Sequence, residues 1–167
     1  MVRAVCRAYG VSNLVQVGTK TMRCLFLDID TEKYPNDLVY YLLKKYGNIL
    51  MLRTKHGYHG IVFTPLTVKK WLRELNAAKD YLDSQFYEYS VENGYSVLRI
   101  SEKFSMADNK PISDRPKMHW FYQEPYGYKA HAGLSLLYQL NYGFKMQPKE
   151  YIGETKVILH FYITGGD

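Results

Sequence analysis

Cys6 and Cys24 are the only cysteines. Two are too few for a disulfide framework or a cysteine-rich zinc site, and an intracellular, reducing setting is the default they imply. Long apolar runs are missing as well. No stretch reaches the roughly 18 residues that a membrane span needs, and the first residues contain no uninterrupted apolar segment of the secretory kind. The expectation is therefore a cytoplasmic protein with no membrane partner. Internal repeats and low-complexity segments are absent too. Acidic residues are the minority charge, 16 against 22 Lys and Arg, for a formal net charge of +6. Such a balance suits a nucleic-acid or phosphorylated partner.

What the chain does contain is enough for a single domain over residues 1–167, with room for a real core. Seventeen tyrosines stand out; rings of that kind build core, stack on bases, or do both.

Local patterns organise the first two thirds. Val2 to Tyr9 reads as a short strand, Ser12-Asn13 as a turn, and Leu14 to Val17 alternates weakly. A strand follows over about 22–30. Tyr34-Pro35-Asn36 breaks the chain and starts a helix with Asn36 as its cap, which Gly47 ends. Asn48 to Arg53 and Tyr58 to Thr64 form two strands around Lys55-His56-Gly57. Val68, Trp71, Leu72, Leu75 and Ala78 then make an amphipathic stripe. Phe86 to Val91 and Tyr95 to Ser101 read as a hairpin about Asn93-Gly94, since Asn-Gly is a hairpin-turn dipeptide. Residues 104–128 read as a long irregular loop, followed by a helix from about Ala132 to Leu140 and a strand from Lys156 to Thr164. The order β-α-β-β-α-β implies an α+β fold, an antiparallel sheet with two helices on one face, as in RRM-like or ferredoxin-like palms.

The chemistry gathers on Leu25-Phe26-Leu27-Asp28-Ile29-Asp30. On a strand Asp28 and Asp30 share a face about 6.5–7 Å apart, near enough to share divalent ions. Alone, such a D-x-D pair reads first as a solvated turn with one aspartate capping the next helix. Three features keep it company. Arg53 to Gly60 is a basic, glycine-broken hairpin whose backbone can approach a phosphate closely at Gly57 and Gly60. Leu82-Asp83 offers a third carboxylate, with Asp80 competing for that place. Leu98 to Lys103 puts Arg99, Ser101 and Lys103 on one strand face.

In this order the motifs resemble the archaeo-eukaryotic primase superfamily, and more narrowly the PrimPol-type replication proteins of archaeal plasmids and viruses. Asp28 and Asp30 match its D-x-D/E motif, Gly57-Tyr58-His59 its G-x-H motif, Leu82-Asp83 its hydrophobic-Asp motif, and Val97 to Ser101 with Lys103 its basic strand. The match covers roughly residues 22–105, the catalytic core by resemblance; residues 106–167 are an extension without a counterpart. His56 competes with His59, but only His59 has the G-x-H context.

The resemblance implies two Mg²⁺ or Mn²⁺ ions on Asp28, Asp30 and Asp83. It also implies nucleotide phosphates gripped by His59, Arg99, Lys103 and Gly57. NTP or dNTP would be the substrate and single-stranded DNA the template, with a replicative helicase as partner and the host cytoplasm as the site if the protein is viral. A rolling-circle Rep nuclease is a rival with a similar fold, but it needs two histidines flanking one apolar residue on one strand face. His56 and His59 are spaced otherwise. A primase fold kept for nucleic-acid binding alone is the other alternative.

Overall fold

A computed structural model describes residues 5–125 and 127–165. Its elements run in chain order β1 (Val5–Ser12), β2 (Leu14–Val17), β3 (Lys20–Ile29), α1 (Asn36–Tyr46), β4 (Asn48–Arg53) and β5 (Tyr58–Leu66). Next come α2 (Val68–Ala77), a 3₁₀ turn (Lys79–Tyr81), α3 (Ser84–Asn93), β6 (Val97–Arg99), β7 (Lys103–Ser105) and β8 (Pro111–Ser113). β9 (Lys117–Gln123), β10 (Lys129–His131), α4 (Ala132–Tyr142), β11 (Glu150–Ile152) and β12 (Leu159–Gly165) complete it.

The acidic strand β3 lies inside a five-stranded antiparallel sheet of order β2-β3-β5-β4-β9. Leu25, Phe26 and Leu27 are all fully buried, as a strand covered on both faces must be. Pairing fixes which residues share a face: Phe26 opposes Ile61 and Asp28 opposes His59. α4 covers the apolar end of that face, where Tyr138 meets Phe26 and Phe63 edge-on at 6.2 and 5.6 Å. The other face receives α1, whose Val39 and Leu43 sit beside Tyr122 of β9, and α2 lies alongside it. Helices therefore cover both faces of this sheet, where one face was expected.

A second five-stranded sheet, order β12-β1-β7-β8 with β6 also on β1, contains the strand expected at Tyr95 to Ser101. That strand is broken. Ile100 and Ser101 leave the ladder, and the Ser101 hydroxyl mends it by accepting the Tyr9 amide at 2.8 Å. Arg99 and Lys103 thus come from separate strands. A parallel pair, β10 and β11, is the third sheet. The chain crosses between the large sheets at the fully buried Asn13. Its side chain donates to the Cys24 carbonyl at 2.9 Å and accepts the Ser96 amide at 2.8 Å, so this expected turn residue is paired with distant parts of the chain.

Four expectations change. Phe86 to Val91 is helical, part of α3: the Asp83 carboxylate caps it by accepting the Phe86 amide at 2.9 Å, and Gly94, at φ 76°, closes it in the left-handed conformation. Asn93-Gly94 is a helix end, not a hairpin turn. α1 has no side-chain cap, and Asn36 is its first helical residue, because Pro35 occupies the cap position. Residues 104–128 hold most of β7 and all of β8 and β9, and β9 extends the core sheet along β4, so part of the extension beyond residue 105 belongs to the same sheet as Asp28 while β8 and β12 join the second sheet. The stripe on α2 is rotated as well: Trp71, Glu74 and Leu75 are buried while Val68 and Leu72 are exposed. Residues 2–4 of the first expected strand lie outside the described residues. Among the described residues no helix is long and apolar enough to cross a membrane.

Candidate active site

At the end of β3 the chain makes one short bridge that decides the site. After the 3₁₀ turn, Leu82 takes up extended backbone and pairs antiparallel with Ile29. The Asp83 amide donates to the Asp28 carbonyl at 2.9 Å, and the Asp30 amide donates to the Tyr81 carbonyl at 3.1 Å. Two backbone hydrogen bonds therefore tie the first and third acidic motifs together. Asp83 is the acid that joins; Asp80 stays exposed in the 3₁₀ turn.

The electrostatics follow from this crowding. Burial pushes the Asp28 carboxyl up to about 7, the nearby Asp83 and Asp30 push the same way, and Arg99 and Lys103 pull against them. Three like charges meet where a half-buried group has lost much of its water. His59 stands opposite, its Nε2 3.7 Å from Asp28 Oδ1. Burial, with Arg99 adding to it, holds the His59 imidazole down to about 3, so the ring is neutral at pH 7. Its Nδ1 is buried with no hydrogen-bond partner among the described residues. His59 offers a phosphate a neutral donor, not a cation.

Arg99 and Lys103 reach this centre from the second sheet, and both act on the Asp28 charge. The Arg99 guanidinium is held by the Ser101 carbonyl and, at 3.0 Å, by the Asp114 carbonyl. Gly57 has a different task from the one expected. Its amide donates to Thr54 Oγ1 at 3.1 Å, and a Cβ there would sit 2.0 Å from the Ile29 carbonyl oxygen. The glycine lets the hairpin pass the end of β3, and its amide is already engaged. His56 lies exposed in the turn, so the histidine pair that a Rep nuclease requires is not on one face.

Reading residues 104–128 as a loop hid one set of site neighbours. Lys117 of β9 stands directly opposite Arg53 of β4. The run His119-Trp120-Phe121-Tyr122, rich in strand-forming aromatics, was the signal for that strand.

The donor chemistry suits a hard divalent cation: clustered carboxylates, one with its pKa driven up by burial first and by its acidic neighbours next. A ready-made protein cage is absent. Among the described residues no group of three or more His, Cys, Asp or Glu side chains is arranged to hold an ion, and Asp83 spends one carboxylate oxygen on its cap. Mg²⁺ in nucleotide sites is commonly held by one or two carboxylates together with substrate phosphates, and the residues present fit that mode. Comparison of the chain with protein-family models, with curated proteins and with solved structures finds no match.

Proposed function

We propose that this chain is a primase–polymerase-type nucleotidyltransferase with an RRM-like palm, extending a strand on a single-stranded DNA template in the replication of a plasmid or virus. One observation carries the reading: four motifs scattered over residues 28–103 bear on a single carboxylate, Asp28. The strand order β3-β5-β4, with α1 between β3 and β4, agrees with such a palm.

In this reading Asp28, with Asp83 and Asp30 beside it, would hold Mg²⁺ or Mn²⁺ jointly with substrate phosphates. The ion would supply Lewis-acid activation and charge neutralisation. The chain's own residues do the rest. Asp28 ionises fully once a cation offsets its neighbours, because its raised pKa comes partly from their like charge. Arg99 and Lys103 face the negative charge of a triphosphate and stabilise what builds up in phosphoryl transfer. His59 donates one neutral N–H, and its desolvated position excludes water from that side of Asp28.

The test is template-directed nucleotide incorporation on single-stranded DNA with Mg²⁺ or Mn²⁺. Asp28→Ala should lower the rate by about 100-fold or more. A folded wild-type protein that incorporates nothing under any of these conditions sinks the enzyme reading. The commitment of Asp83 to its helix cap favours the second reading, a primase-type fold retained for binding nucleic acid. Salt-sensitive binding without incorporation would select it.

A further inference from the structure

An open cleft of about 520 Å³ lies between the β4–β5 hairpin and the segment that leads from β8 into β9. Arg53, Lys55, Arg115 and Lys117 line it, with Asp114 as the one acid. Two of these cations are placed against their electrostatic interest. Arg53 and Lys117 are direct cross-strand partners on β4 and β9, where like charges destabilise a sheet. Asp114 relieves only Lys117, at 3.2 Å, in a pair exposed to solvent.

Both arginines are held in place from behind. Arg53 lies 4.7 Å from the Tyr58 ring centroid, and Arg115 lies 4.9 Å from that of Tyr142 while donating to the Asn141 carbonyl at 2.9 Å. Their remaining N–H groups are thus oriented before any ligand arrives. Ile112 adds an exposed apolar surface to the same cleft. One residue relates the cleft to the acidic centre: Arg99 donates to the Asp114 carbonyl at 3.0 Å while its charge acts on Asp28.

From this we infer that the cleft is a binding site for the sugar–phosphate backbone of single-stranded nucleic acid. The cations come from two segments, Arg53 and Lys55 from the hairpin and Arg115 and Lys117 from the run into β9, which suits a chain that carries repeated phosphates. A polyanion also explains the opposed Arg53–Lys117 pair, because a phosphate between them turns repulsion into two attractions. The inference deepens the proposed function by assigning its template to a surface, but the binding it describes needs neither metal nor nucleotide.

The experiment measures fluorescence anisotropy of a labelled 20-nucleotide oligo(dT) with the full chain, metal-free, across a salt series. Lys55→Ala/Lys117→Ala should weaken binding about tenfold or more at low salt. Its slope of log affinity against log salt should shrink by about 1.4, near 0.7 per lost phosphate contact. Lys69→Ala/Lys70→Ala, on the exposed side of α2, removes the same charge elsewhere and should leave both quantities near wild type. Equal losses in the two variants, or none in the first, overturn the inference. So does displacement of the oligonucleotide by inorganic triphosphate at equal total charge, which would mark the cleft as a polyphosphate site. Oligonucleotide binding through the cleft without incorporation leaves the inference standing and removes the polymerase reading alone. Incorporation with unchanged binding in the cleft variant does the reverse.

Discussion

Two carboxylates in this protein live in dense surroundings and are treated in opposite ways. Glu74 of α2 is 2% exposed, and the fold supplies its counter-charge: Lys45 Nζ is in direct contact, Arg73 Nε lies at 4.0 Å and the Tyr41 hydroxyl donates at 3.2 Å. Glu74 returns the favour by holding the Lys45 ammonium well above the usual lysine range. Asp28, less deeply placed, is given two more carboxylates and a neutral imidazole as its nearest company. The contrast separates an acid used for architecture from one whose nearby cations, Arg99 and Lys103, are outweighed by burial and by two more acids. An acid that the fold declines to neutralise is suited to a positive charge that comes and goes.

This contrast can be broken by experiment. The largest effect should come from Lys45→Met, which strands Glu74 between two helices. A loss of about 2–3 kcal/mol is expected in urea unfolding at pH 7, discounted from a fully buried pair because Lys45 is 37% exposed. A smaller effect concerns pH. His59 is depressed in the folded state, so its contribution to stability is full above its unfolded pKa near 6.5 and is lost as pH falls toward 3. Asp28 is raised, so its contribution is full below pH 3.8 and is lost as pH rises through about 7. Between pH 7 and 5 the two oppose each other. His59→Gln should therefore become more stable over that descent and Asp28→Asn less stable, each by about 1–2 kcal/mol; parallel slopes would refute the assignment.

At pH 8 Asp28→Asn should be more stable than wild type by on the order of 1 kcal/mol, after allowance for solvent screening of a side chain 37% exposed. An equal or lower stability would mean that the three acids do not repel one another. The smallest effect is a shift in melting temperature. Millimolar Mg²⁺ should raise that of wild type by a few degrees at pH 8 and leave Asp28→Asn unmoved, because only binding to the folded state stabilises it. Chelator should reverse the rise.

Much of the acidic site was legible in the sequence because its parts are local. β3, β5 and the G-x-H turn are contiguous strand patterns, while the pairing that sets His59 opposite Asp28 spans α1 and β4 and is not written in any one of them. α3 was misread for a physical reason. Phe86, Tyr87, Tyr89 and Val91 are strand-prone types, and only the Asp83 cap three residues before the Phe86 amide revealed the helix. Asp83 was thus legible as an acid and not as a cap. The partnership of β9 with β4, and hence the Arg53–Lys117 opposition, joins segments far apart in sequence, and no local pattern encodes it. The corner at Asn13 is hidden for the same reason: its side chain answers to Cys24 and Ser96, which are distant in the chain.

The bridge between Ile29 and Leu82 has a kinetic meaning as well as a geometric one. It closes a long loop that contains two helices and two strands, so it carries a loop-closure cost that local contacts do not. The acidic centre is expected to assemble late as a consequence. It is also held at that point by only a single bridged pair. The Asp83 amide, donating to Asp28, becomes a built-in clock: its hydrogen-exchange rate reports how often the two halves of the centre come apart, independently of any substrate.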